Sequence, residues 1–212
     1  MEKETKVNKT RLRVLGLIAT VVIKVAVLSG LNSAPVYATS EQYLTPPPRN
    51  QYNPDIVDTF SSPIEIIGDD DCENDTLNAL KLLSAKAPDT YRNVVKSIGI
   101  IECAPSGSAM YADETPSRFV VGDNTRTYSI IWYAGSIAHD AFHSKLYHDY
   151  LRTHKTQSVP DSIWIGKNAE EKCIAEQSRV LTRLKADKAL IEFLKNALAT
   201  RYYEILPKDR DW

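Results

Sequence analysis

The sequence predicts an α+β domain in which a small antiparallel sheet packs on one long helix and several further helices. Three observations carry that expectation. Between residues 98 and 131, short runs rich in β-branched and aromatic residues are separated by Gly, Pro, Asn and Asp, the pattern of strands and turns. On both sides of them, apolar residues recur at helical spacing. A chain of 212 residues with 43% hydrophobic and 25% charged composition is globular, with room for one ordinary domain behind a targeting segment.

At the N-terminus, Lys3, Lys6, Lys9, Arg11 and Arg13 precede the apolar run Val14–Ile23, and Val36-Tyr37-Ala38 offers small residues for cleavage. Residues 1–38 therefore read as a signal peptide that meets the membrane during export. Lys24 interrupts the run before Val25–Leu28, so the alternative of a retained anchor rests on roughly 18 residues against the usual ~20. Residues 39–63, with Pro46-Pro47-Pro48 and Pro54 and no apolar period, read as a flexible linker. The folded domain is expected over 64–206, and 207–212 as a tail.

Within the domain, Asp69-Asp70-Asp71 reads as a solvated turn, because the glycine and later glutamate of a calcium loop are missing. Two helices follow, over 75–85 with Leu77, Leu80, Leu82 and Leu83 inward, and over 88–98 with Pro88 at its start. Strands are expected at 98–103, 118–121 and 127–131. A long helix then runs from Trp132 to about Tyr150. Asn168 is placed as the cap of a helix reaching about Lys185, and Asp187 as the cap of one reaching about Tyr203.

Removing residues 1–38 takes six Lys/Arg and two acids from totals of 26 and 27, leaving a formal net charge of −5. No basic surface remains to neutralise phosphates, which argues against nucleic acid as a partner. The cysteines are Cys72, Cys103 and Cys173, and an exported chain meets an oxidising compartment in which one pair can bridge. Three pairings are open. Cys72–Cys103 is favoured because Cys173 sits in a helical pattern beside a candidate metal ligand.

All four histidines fall within sixteen positions, at 139, 143, 148 and 154. In the segment Ile137-Ala138-His139-Asp140-Ala141-Phe142-His143-Ser144, His139 and His143 stand one helical turn apart and so share a face. That spacing lets both imidazoles reach one metal ion. His148 points elsewhere and reads as a surface residue. A catalytic zinc takes three protein ligands and keeps an open position, so one more donor is required. In Glu170-Glu171-Lys172-Cys173-Ile174-Ala175-Glu176-Gln177, the residues Glu170, Cys173 and Gln177 share a face. An acid on so apolar a face must be paired or metal-bound, which favours Glu170 as the third ligand and leaves Glu171 second. The competing reading is that both acids merely favour the positive end of a helix.

The motif His139-Asp140-x-x-His143, preceded by a strand and followed by a helix carrying Glu170, resembles the zincin-like metallopeptidases of the gluzincin type over roughly residues 98–185. The resemblance implies a zincin-like fold, one zinc ion held by His139, His143 and Glu170, and an edge strand, here 126–131, that pairs with an extended substrate. It also gives Asp140 the place of the family's glutamate, the general base acting on metal-activated water. Here the sequence departs from the pattern. Aspartate is one methylene shorter, and a misplacement of about 1 Å can lower the rate about a hundredfold. Tyr147, Tyr150 and His154 are candidate oxyanion stabilisers from their placement alone.

Other chemistries fit less well. All-helical metal phosphohydrolases also use a His-Asp doublet but need an upstream histidine, and none precedes His139. No local motif makes Cys103 or Cys173 a nucleophile, and Ser106-Gly107-Ser108 lacks the strand-to-helix elbow of a serine hydrolase. Trp132 and Tyr133 read as core or as the floor of a cleft. The expectation is an exported zinc-dependent hydrolase acting on a peptide or protein substrate. Its alternative is a weakly active or inactive metal-binding domain that serves as a protein-binding module, its site closed by Cys173 or His154 as a fourth ligand.

Overall fold

A computed structural model describes residues 60–197; the expected signal segment 1–38, most of the expected linker 39–63, the expected helix end near Tyr203 and the tail 207–212 lie outside the described residues. Four strands, β1 (Glu65–Ile67), β2 (Ile100–Ala104), β3 (Ala109–Tyr111) and β4 (Arg118–Gly122), form one sheet in the order β1-β2-β4-β3. Around it stand α1 (Asp70–Lys86), α2 (Pro88–Ser97), α3 (Asp123–Tyr128), α4 (Ile130–His154), α5 (Asp161–Trp164), α6 (Lys167–Arg183) and α7 (Lys188–Ala197). The class is α+β, as expected. The sheet, however, is mixed rather than antiparallel.

Connectivity explains the mixture. Between β1 and β2 the chain passes through two helices, a crossover long enough to return it in the same direction, so β1 and β2 pair in parallel. β3 carries the chain back along the sheet's edge, and β4 then inserts between β2 and β3, parallel to the first and antiparallel to the second. The close seating of this turn depends on Gly99, where an added Cβ would stand 2.4 Å from the Pro116 Cβ. β1 and β3 are only three residues long, too short to show the alternation by which strands are recognised in sequence.

The first helix begins five residues earlier than its apolar pattern implies. Asp69 is its N-cap, accepting from the Cys72 backbone N–H at 2.8 Å, and Asp70, Asp71 and Glu73 occupy the first turn. The acidic triplet is thus a helix start, with the carboxylates at the positive end of the helix. At Ala87, ahead of Pro88, the chain breaks and restarts as α2. Cys72 and Cys103 form a disulfide that ties the first turn of α1 to β2, while Cys173 stays a buried free thiol.

Residues 127–131 are not a strand. Thr127 and Tyr128 end α3, Ser129 alone is extended, and Ile130 and Ile131 open α4. Two interactions, one local and one between distant segments, outweigh the β preference of Thr, Tyr and Ile here. Ser129 caps α4 by accepting from the Trp132 N–H at 3.1 Å. Arg126 pins α3 to α1, donating to Asp75 at 2.5 Å and to Asp123 at 2.8 Å. The substrate-pairing strand expected at 126–131 is therefore absent from that position.

The core lies between the sheet and α1, α2 and α4, with Leu80, Val94, Ile101, Phe119, Val121 and Ile137 among its members. Tyr133 is wholly buried in it and hydrogen-bonds Thr76 at 2.8 Å, so it is core and not cleft floor. Trp132 joins Ile174, Leu181 and Leu194 in a second cluster between α4, α6 and α7. Gly135 sets the spacing of α4 and α6: a Cβ there would meet Leu181 at 2.8 Å and Gln177 at 3.3 Å. Without it the two helices could not approach this closely. Among the described residues, no helix is long and apolar enough to cross a membrane.

Candidate metal centre

His139 and His143 lie on the middle turns of α4, facing the N-terminal half of α6, and the close approach at Gly135 brings Glu170 and Cys173 onto them. Asn168 is not the cap of α6. That place is taken by Gly166, whose φ of 79° is a conformation glycine adopts without strain, and α6 starts at Lys167. With this start Glu170 falls in the first turn and inward, 4% exposed, while Glu171 is exposed beside Lys167 at 3.9 Å.

Three donors converge. The Nε2 atoms of His139 and His143 are 3.1 Å apart, and the Glu170 carboxylate reaches them at 3.2 Å and 3.6 Å respectively. Two nitrogens held tetrahedrally at a zinc–nitrogen distance of ~2.05 Å would be about 3.3 Å apart, with an oxygen at much the same spacing. The observed distances fit that geometry to within a few tenths of an ångström. Cys173 adds a fourth donor, its Sγ and the two imidazole nitrogens all lying within 4.8 Å of one another. The group formed by His139, His143 and Cys173 could hold a metal ion.

The electrostatics show why these groups need one another. Burial alone would raise the Glu170 pKa, yet hydrogen bonds and charge from His139 and His143 hold the carboxyl far below its ordinary range. For His143 burial works downward, and Cys173 and Glu170 together reverse it, leaving the imidazole well above its ordinary value. Burial pushes the Cys173 thiol up, against the opposing pull of His143. Charge on His143 and charge on Glu170 are thus each favoured by the other against the cost of burial. The two rings stand 4.9 Å apart, centroid to centroid, and a shared cation would require both Nε2 lone pairs to aim at one point.

One orienting contact has no counterpart in the sequence pattern. The His143 Nδ1–H donates to the Trp164 carbonyl at 2.5 Å, which in the neutral ring leaves the Nε2 lone pair directed into the cluster. Trp164 ends the short helix α5, and a backbone acceptor can be supplied by any residue type, so no residue signal marks it. Gly135 carries a readable signal only in hindsight, as a small residue on the buried face of α4. The Nδ1 of His139 is buried and makes no hydrogen bond to a described residue.

The remaining sequence-derived positions spread out along α4. Asp140 is half-buried at the margin of the cluster, near enough for its charge to act on Cys173. Tyr147, one turn beyond His143, packs edge-on to the Trp164 ring at 5.2 Å. Tyr150 and His154 are stacked on each other with centroids 3.9 Å apart, and His154 is exposed. At 1.5 Å of rise per residue, His154 is about 16 Å along the axis from His143. It belongs to the helix rather than to a loop folding back on the centre. His148 bonds Ser117 at 2.8 Å, linking α4 to the start of β4. Comparison with known proteins gives no match, whether to a family model, to a curated protein or to a solved structure.

Proposed function

We propose that this protein is a zincin-like, zinc-dependent hydrolase that cleaves peptide or amide bonds outside the cytoplasm. The observation that carries the reading is the convergence of His139, His143 and Glu170 at the spacing of a shared cation. A bound zinc ion would supply Lewis acidity to activate water and polarise the scissile carbonyl. His139 and His143 hold position from one rigid helix, and Trp164 fixes the ring of His143. Asp140 takes a proton at its carboxylate and returns it to the departing nitrogen. With 126–131 a junction between two helices, an extended substrate would pair instead with β3, the antiparallel edge strand that packs against α4. The disulfide between Cys72 and Cys103 supports an oxidising compartment.

A second reading follows from the short side chain of Asp140: a metal-binding domain with little or no turnover that serves to bind other proteins. Metal analysis and cleavage of a broad peptide library separate the two. Wild type should hold about one equivalent of zinc, and His139→Ala and Glu170→Ala should both lose it. In the hydrolase, Asp140→Asn lowers cleavage about a hundredfold or more. Cleavage by neither wild type, Asp140→Asn nor Asp140→Glu, with zinc bound in each, would overturn the hydrolase and favour the binding module.

A further inference from the structure

Building on the metal reading, we infer that Cys173 is the fourth donor of the centre and that its thiolate closes the centre in the resting protein, so that hydrolysis requires this ligand to leave. Cys173 stands three residues after Glu170 on α6, which puts both side chains on one face of the helix. It is wholly buried, and its sulfur lies within 4.8 Å of both imidazole nitrogens. A tetrahedral zinc with ordinary Zn–N and Zn–S lengths would set that separation at about 3.6 Å. Loading thus requires a contraction of about 1.2 Å at most.

Charge points the same way. His139 and His143 bind neutral and Glu170 brings one negative charge, so three ligands leave a dication with a net charge of about +1. The groups around it are nearly out of water, with His143 5%, Glu170 4% and Cys173 0% exposed. An uncompensated charge at such depth is strongly disfavoured, because no solvent remains to screen it. A thiolate brings the set to neutrality. On loading, the Cys173 S–H and the proton that Cys173 and Glu170 favour on His143 both go to solvent, and the freed sulfur and Nε2 lone pairs bind the metal, with no change of oxidation state.

The centre then differs from an open three-ligand site, because its fourth position is filled from within the same helix that supplies Glu170. Displacement of the thiolate, by a substrate carbonyl or by water, frees the position that hydrolysis uses. Latency is therefore set by a residue of the fold rather than by a separate inhibitory segment.

Cobalt(II) substitution of the full chain tests this directly. Wild type with one equivalent of cobalt should show a thiolate-to-cobalt charge-transfer band in the near ultraviolet. Cys173→Ser, with Cys173→Ala as a second variant should the first fold poorly, should keep one cobalt and lose the band. Zinc affinity in these variants should fall at least tenfold, while peptide cleavage per bound zinc should rise above wild type. Cobalt bound to wild type without the band overturns the inference and leaves the His139–His143–Glu170 centre intact. Failure of wild type to bind cobalt or zinc at all removes the centre itself, and unchanged cleavage per zinc in the variants overturns the latency.

Discussion

The two sides of this domain are stabilised by opposite means. On the sheet side, α1 and β2 are joined by the Cys72–Cys103 disulfide and packed through Leu80, Ile101 and Phe119, which are wholly buried. On the other side, α4 and α6 meet across Gly135, and part of their interface is a buried cluster of two imidazoles, a carboxylate and a thiol. The first arrangement gains free energy simply by leaving water. The second loses it unless its charges are matched, because each desolvated ion costs several kcal/mol. A chain selected only for stability has no reason to hold the second arrangement, which is the physical argument behind the proposal that the α4–α6 interface is the functional site.

The contrast is sharpest for the disulfide. A cross-link spanning 31 positions constrains the unfolded chain by about 3–4 kcal/mol. The double variant Cys72→Ser/Cys103→Ser should lose stability of that order in denaturant unfolding while zinc stoichiometry stays at one. Loss of the metal together with the bridge would show that the two sides are not independent. Next in size, Gly135→Val inserts two methyl groups where a single Cβ already meets Leu181 at 2.8 Å. It should destabilise by about 1–3 kcal/mol, and it should weaken zinc binding measured against a competing chelator by pushing α6 from α4. If stability falls but metal affinity does not, the helix spacing is not what assembles the centre.

Smallest of all is Glu171→Gln. Its side chain is exposed beside Lys167 at 3.9 Å, a surface pair worth less than about 0.5 kcal/mol, and neither unfolding nor metal content should change measurably. Zinc lost in this variant would move the third ligand one residue along α6 and undo the placement of Glu170.

Read element by element, what was legible follows the range of the interactions involved. The i, i+4 pair His139 and His143, the Pro88 helix start and the Asp187 cap are local, and each is found where the sequence puts it; Asp187 accepts from the Ala189 N–H at 2.8 Å. The strand expected at 127–131 is a helix junction, since a serine cap and an arginine bound to two aspartates outweigh the preferences of five residues. β1 and β3 escaped the pattern because three residues carry too little periodicity. The parallel pairings are set by where the crossovers return the chain.

By itself the sequence determined the two imidazoles on α4 and their common face, because a helical repeat converts spacing into direction without reference to the rest of the chain. It also determined the α+β class and narrowed the bridging cysteines to a favoured pair. Only the tertiary structure decided that Glu170 and not Glu171 turns toward the histidines, that Cys173 stands with them, and that Trp164 orients His143. Those depend on where α6 starts after Gly166 and how closely it packs at Gly135, contacts between segments far apart in the chain that no local pattern encodes.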